Sequence, residues 1–144
     1  MRRPADSLTR DLFEVPAPAV SLPGALDYSL AVRRLLVEAI KTSDLNASQV
    51  AARMAELVGA PISEHQLHAW TAPSREGWRF PLEYLPAFEV AVETTALTAW
   101  LASVRGGKVL MGKEALDAEI GKLERQKEDA ARKIRQLKQA MGEM

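Results

Sequence analysis

The chain has 144 residues, of which 47% are hydrophobic, and this length fits one domain or a small domain with an appendage. It contains no cysteine, which excludes disulfides and cysteine-ligated zinc and favours a cytoplasmic location. No apolar run is long enough for a transmembrane helix, and the N-terminus lacks the apolar segment of a secretory signal. The 19 basic and 19 acidic residues cancel, whereas nucleic-acid-binding proteins usually carry a basic surplus.

Residues 1–26 are interpreted as an extended N-terminal arm. They contain Pro4, Pro16, Pro18 and Pro23, and proline removes a backbone donor and disfavours helix at the preceding residue. The alternative is a short helix in the stretch SLTRDLFEV, docked on a partner through its leucines and its phenylalanine.

Residues 27–105 have helical periodicity and no alternating strand pattern, which predicts a domain of four or five helices. The first helix is expected to bury an apolar face and to turn its charged residues, Arg33 and Arg34 among them, to other directions. The glycines that follow the fifth helix predict a linker over residues 106–112.

The stretch NASQVAARMAELVGAPISEHQLHAW, residues 46–70, predicts two short helices. Each opens with a capping residue three positions before a glutamine, Asn46 before Gln49 and Ser63 before Gln66. Gly59 stands where a helix commonly ends in the left-handed conformation. Two short helices joined by a tight turn form a helix-turn-helix unit, whose second helix lies in the DNA major groove.

This stretch and the following RFPLEYLPAF resemble the Cro/repressor type of phage helix-turn-helix domain, over roughly residues 28–104. The whole chain, with its heptads after GGKVLMGKEAL, is similar to small proteins of Mu-like transposable phages. The resemblance implies a recognition helix at about residues 64–70, with Leu67 and Trp70 in the core. It implies that the side chains facing DNA are Ser63, Glu64, His65, Gln66 and His68.

If DNA is bound, most of the affinity must come from phosphate contacts. Gln66 is the best candidate to read a base, since an amide can engage adenine with two hydrogen bonds, but it could equally serve only to close the capping box. Each arginine near the motif could also be an ordinary solvated charge. The candidate phosphate contacts are Arg33, Arg34, Arg53, Arg75 and Arg79.

Residues 113–144 predict a long helix with a heptad seam, that is, apolar residues at alternating spacings of three and four. Isoleucine at the a positions and leucine at the d positions favour a two-stranded coiled coil. The alternative is that the first three seam residues fold back on the protein's own domain. The expected dimerisation residues are Leu116, Ile120, Leu123, Lys127, Ala130, Ile134, Leu137 and Met141.

The charges beside this seam favour an antiparallel pair of chains. Parallel pairing sets Glu119 against Glu124, which repel, and does the same with two lysines near the C-terminus. Antiparallel pairing places Asp117 beside Lys138, which attract, and gives Lys127 room for its long stem.

No enzymatic site is expected. His65 and His68 have a spacing that can share a metal, but no third ligand is evident. The run GKVLMGKE nearly matches a phosphate-binding loop, yet Glu114 replaces the hydroxyl that would hold magnesium. The sequence therefore indicates no metal and no cofactor.

These patterns predict an all-α protein, with a helix-turn-helix domain over residues 27–105 and a coiled-coil helix over residues 113–144. The expected function is that of a phage- or prophage-type transcriptional regulator that binds double-stranded DNA as a homodimer in the host cytoplasm. The alternative is a non-enzymatic phage interaction protein that uses the same fold and coiled coil to bind host or phage proteins. A membrane partner is not expected.

Overall fold

The computed structural model describes residues 20–142. Within them the chain is helical and contains no strand, which confirms the all-α prediction with its long C-terminal helix. The alternative helix in SLTRDLFEV, like most of the expected arm, lies outside the described residues. The α-helices are α1 Ser29–Thr42, α2 Ala47–Val58, α3 Glu64–Thr71, α4 Leu85–Val92, α5 Ala96–Val104 and α6 Lys113–Gly142, and a 3-10 helix, Leu82–Tyr84, precedes α4.

The chain divides into two compact units, Met1–Lys108 and Val109–Met144. The first unit, called the head below, contains α1 to α5, and the second contains α6. In the head, α2 packs against α3 and α4, while α1 packs against α3 and α5. The core between these helices is formed mainly by Leu36, Val50, Met54, Leu67, Trp70, Leu85, Phe88, Val92 and Leu97.

Both predicted capping boxes are present, so α2 and α3 begin where the sequence places them. The Asn46 side chain accepts from the Gln49 backbone N–H at 2.9 Å, and the Gln49 side chain accepts from the Asn46 N–H at 2.9 Å. Ser63 and Gln66 repeat this exchange at 3.1 and 2.9 Å. Gly59 ends α2 in the left-handed conformation with φ of 75°, a value that glycine adopts without steric cost.

The junction between α4 and α5 is fixed by a buried carboxylate. Pro86 lies in the first turn of α4, where its missing N–H costs no helical hydrogen bond. Glu89 of α4 accepts hydrogen bonds from the backbone N–H of Thr98 at 3.2 Å and from the Thr98 hydroxyl. Its charge therefore lies at the N-terminus of α5, where the helix dipole favours an anion.

Arg33 is buried in the head, which corrects the expectation that it points outward and contacts phosphate. Its side chain follows the core face of α1, three residues before the fully buried Leu36, and only 5% of the residue is exposed. Its guanidinium donates to five backbone carbonyl oxygens, those of Ala69 at 3.3 Å, Trp70 at 3.2 Å, Ala72 at 2.7 Å, Arg75 at 2.8 Å and Trp78 at 2.7 Å.

These five bonds tie α1 to the last turn of α3 and to the loop that follows it. The planar guanidinium can satisfy several carbonyls at once because its donors form a rigid fork. Burial of an unpaired charge is costly, and charge-assisted hydrogen bonds offset that cost. Arg33 is therefore a structural residue of the head.

The start of α1 is stabilised by Asp27. Its Oδ1 atom accepts from the Ser29 backbone N–H at 3.1 Å and from the Ser29 hydroxyl at 2.9 Å. The backbone bond is the main reason that the pKa of Asp27 lies below its ordinary value, with the hydroxyl bond and the positive charge of Arg79 acting in the same direction.

Replacement of Arg33 by methionine should destabilise the head by about 3 kcal/mol, because buried carbonyls lose a charged donor. Lysine keeps the charge but not the fork, so Arg33→Lys should lose less. The measurement is urea denaturation followed by tryptophan fluorescence. The matched control is Arg34→Met, one residue along α1 and exposed, which should change stability by less than about 0.5 kcal/mol. Equal losses in the two methionine variants would contradict the structural role of Arg33.

Replacement of Asp27 by asparagine should reduce stability in a pH-dependent way. Since the pKa of Asp27 is lower in the folded state than its usual value of about 4, ionised Asp27 favours folding above that pH. The contribution is lost as the pH falls through the folded-state pKa. The thermal midpoint of the natural chain should exceed that of Asp27→Asn at neutral pH, and the difference should shrink on acidification below about pH 4. A difference that grows on acidification would refute this assignment.

Candidate nucleic-acid interface

Helix α3 has one face in the core and one face in solvent. Leu67, Ala69, Trp70 and Thr71 are buried, so the second half of α3 is held by the head. The opposite side, called the α3 face below, consists of the exposed residues Glu64, His65 and His68, with the exposed capping residue Ser63 at its start. Four of the five residues that the resemblance assigns to DNA contact are therefore exposed here, whereas Gln66 is half-buried and points away from this face.

Trp70 is the main anchor of α3. Its ring lies edge-on to Phe80 with a centroid distance of 5.5 Å and is tilted against Tyr84 at 5.9 Å. Phe80 in turn packs edge-on against the fully buried Phe88 at 5.7 Å. Aromatic pairs in these orientations are favourable beyond the area that they bury. This cluster links the recognition-helix candidate to the segment that leads into α4.

The α3 face carries both signs of charge. Glu64 Oε1 and His68 Nε2 are 3.3 Å apart, one helical turn from each other, with both side chains more than half exposed. When His68 is protonated the two form an ion pair across one turn of α3. His65 is exposed on the same face.

Gln66 closes the capping box of α3. Its Oε1 atom accepts from the Ser63 backbone N–H at 2.9 Å and lies 3.5 Å from the Ser63 hydroxyl. A bidentate contact with adenine uses both the oxygen and the nitrogen of the amide. Because the oxygen is engaged at the helix start, the geometry favours the capping role over the base-reading role.

The remaining arginine candidates are exposed but differ in their surroundings. Arg53 on α2 forms an ion pair with Glu56 at 2.7 Å. Arg34 on α1 lies beside Glu38 and Lys41 along an open groove. Arg75 and Arg79 lie in the loop directly after α3, whose backbone Arg33 holds.

An apolar groove of about 770 Å³ lies between α1 and the end of α3, and the sequence reading missed it. The sequence signal for this groove is a second stripe on α1 at helical spacing, formed by Leu30, Arg34, Val37 and Lys41. Leu30 is exposed although it is large and apolar. The groove is lined further by Leu35, Glu38, Thr71 and Pro73.

Over residues 20–142, no group of three or more histidine, aspartate or glutamate side chains is placed to hold a metal ion. None of the described helices is both long and apolar enough to cross a membrane. No protein-family model, curated protein or solved structure matches the chain. Function must therefore be inferred from the surfaces of the head and of α6.

Substitutions of Ser63 and Gln66, the two members of the capping box of α3, should differ in their effect on stability. Glutamate is also a favoured third residue of a capping box, so Gln66→Glu should leave the stability within about 0.5 kcal/mol of the natural chain. Ser63→Ala removes the acceptor for the Gln66 N–H and should cost about 1 kcal/mol. Denaturation curves measure both. Ser48→Ala, at an exposed position inside α2, is the control and should be neutral or slightly stabilising. A large loss for Gln66→Glu would show that the amide nitrogen has an essential partner.

Proposed function

We propose that the protein is a DNA-binding transcriptional regulator of the phage helix-turn-helix type, which acts as a homodimer and inserts α3 into the major groove. The observation that carries the proposal is the exposed polar α3 face, backed by the buried Leu67 and Trp70. A recognition helix requires such a face, held rigidly by a hydrophobic opposite side.

Arg75 and Arg79 are the phosphate contacts that the geometry favours. They follow α3 in the chain, they are exposed, and the loop that carries them is fixed by hydrogen bonds from Arg33 to the carbonyls of Arg75 and Trp78. Phosphate contacts of this kind set the register of a protein on the duplex. Arg34 and Arg53 are secondary, since they lie on α1 and α2 rather than in the loop that follows α3.

Base contacts in this proposal come from His65 and His68, and from the hydroxyl hydrogen of Ser63, whose oxygen accepts from the Gln66 N–H. A serine hydroxyl can donate to or accept from a base edge, and neutral histidine offers one donor and one acceptor. Glu64 can accept from the amino group of cytosine. A reading face without arginine or lysine predicts low affinity for random sequence, because non-specific binding depends on phosphate charge.

The second candidate function is that of a phage interaction protein that binds host or phage proteins and keeps the helix-turn-helix fold as a scaffold. The apolar groove beside Leu30 and Val37 is the observation that favours it. Apolar grooves rimmed by charged residues commonly receive a helix of another protein. The balanced total charge of the chain also suits a protein partner.

The two functions are separated by fluorescence-polarisation titration of the full chain with random and phage-derived duplexes at several salt concentrations. If the protein binds DNA, the logarithm of the binding constant should fall linearly with the logarithm of the salt concentration. A homodimer with both heads on DNA loses two phosphate contacts in each variant, so Arg75→Ala and Arg79→Ala should each reduce that slope by about 2, whereas Arg125→Ala on α6 should leave it unchanged. His65→Ala should alter the preference among duplexes without changing the slope.

No binding at low salt would reject the regulator and leave the protein-binding function. Binding whose salt slope is insensitive to both loop arginines would reject the orientation of α3 described above. Circular dichroism of each variant confirms that it is folded, so a loss of binding can be assigned to the lost contact.

A further inference from the structure

Helix α6 carries an uncovered apolar stripe along its length. Leu116, Ile120, Leu123, Ile134, Leu137 and Met141 are 52% to 71% exposed, and no residue of α6 is buried. Together with Lys127 and Ala130 in the middle, they follow an alternating spacing of three and four, which keeps them in one line over a helix of 30 residues, about 45 Å long. Exposed apolar patches of this kind at both halves of one helix face mark an interface.

We propose that this stripe pairs with the α6 stripe of a second copy of the chain, in the antiparallel orientation and in one register. That register sets Leu116 opposite Met141 of the copy, Ile120 opposite Leu137, and Leu123 opposite Ile134. The pairing does not depend on whether the head binds DNA.

The orientation follows from the distribution of charge beside the stripe. The flanking residues of the first half of α6 are acidic, Asp117, Glu119 and Glu124, and those of the second half include Lys133 and Lys138. Two parallel helices would bring like charges together at both ends, and symmetry would double each repulsion. Antiparallel helices bring Asp117 beside Lys138 of the copy, and symmetry repeats this attractive pair at the other end. The other flanking charges then face uncharged residues.

The middle of the stripe supports the same orientation. Lys127 and Ala130 occupy successive seam positions there. In a parallel pair Lys127 would face Lys127 of the copy, and the two alanines would leave a gap. In an antiparallel pair Lys127 faces Ala130, so its aliphatic stem fills the space left by the small side chain while its ammonium group reaches water.

The register is set by the two ends of the stripe. A shift of one heptad in either direction places Leu137 opposite a lysine, Lys113 or Lys127, and leaves Met141 or Leu116 beyond the partner's seam. Among the antiparallel registers, only the unshifted one gives every large apolar residue of the stripe an apolar partner. Packing of this kind also stabilises α6, since most helical stability in proteins comes from a buried face.

This arrangement fixes where the α6 helix of each copy begins along the coiled coil. Each α6 begins at Lys113, and in the antiparallel register the two starts lie at opposite ends of the coiled coil, about 45 Å apart. In a parallel coil the two starts would be adjacent. The orientation therefore decides whether the two chains enter the coiled coil at the same end or at opposite ends.

Cysteine cross-linking of the full chain tests both orientation and register. Because the natural sequence has no cysteine, single substitutions give unambiguous products. Leu116→Cys alone and Met141→Cys alone should form no disulfide-linked dimer on oxidation, since the two equivalent positions are far apart. A mixture of the two variants, allowed to exchange subunits, should form one. The matched control is a mixture of Arg125→Cys and Arg132→Cys, whose positions face away from the stripe, and it should not cross-link.

A parallel coil would give the reverse result, with each single variant cross-linking to itself, and would overturn the proposal. Sedimentation of the natural chain as a monomer at micromolar concentration, or as a species larger than a dimer, would also overturn it. Ile120→Asp combined with Ile134→Asp should convert the dimer to a monomer. All three tryptophans lie in the head, so unchanged tryptophan fluorescence will show that the head of this variant is folded.

Discussion

The buried guanidinium of Arg33 is the interaction on which the arrangement of the head depends. Its side chain, which comes from α1, binds carbonyls at the end of α3 and in the loop that follows. A single group therefore positions both segments relative to α1. The loop has no regular structure of its own and must satisfy its backbone carbonyls in another way. Arg33 provides those donors. The orientation of the α3 face relative to Arg75 and Arg79 thus follows in part from a buried residue of α1.

Local sequence was sufficient to predict most of the helices but not this interaction. Capping pairs, Gly59 and Pro86 act within a few residues of their own position, so spacing alone reveals them. The carbonyls that Arg33 binds are 36 to 45 residues away from it in the chain. Its position three residues before Leu36 places it on the buried face, but a charged side chain is ordinarily expected to be exposed. A buried role for Arg33 can be recognised only once the tertiary structure shows that the carbonyls of the distant loop need hydrogen-bond donors.

The candidate interface was also predicted only in part, because some of its residues are placed by local helix geometry and others by long-range packing. Glu64, His65 and His68 share a face because helical spacing brings positions one and four apart to one side, and the buried Leu67 and Trp70 decide which side is outward. The five arginines come from α1, α2 and a loop, and their relation to that face depends on tertiary packing. Burial removes Arg33 from the set, and Glu56 partly neutralises Arg53.

Glu89 completes a closed cycle of helix contacts in the head. Packing connects α1 to α3, α3 to α2, and α2 to α4, and the bonds from Thr98 to Glu89 connect α4 to α5, which returns to α1. Each helix of this cycle contacts two others, so it can detach only if two interfaces are broken. Local opening should therefore be rare and loss of structure cooperative. The α3 face is therefore a rigid surface, so any partner that binds there as proposed would have to adjust its own shape.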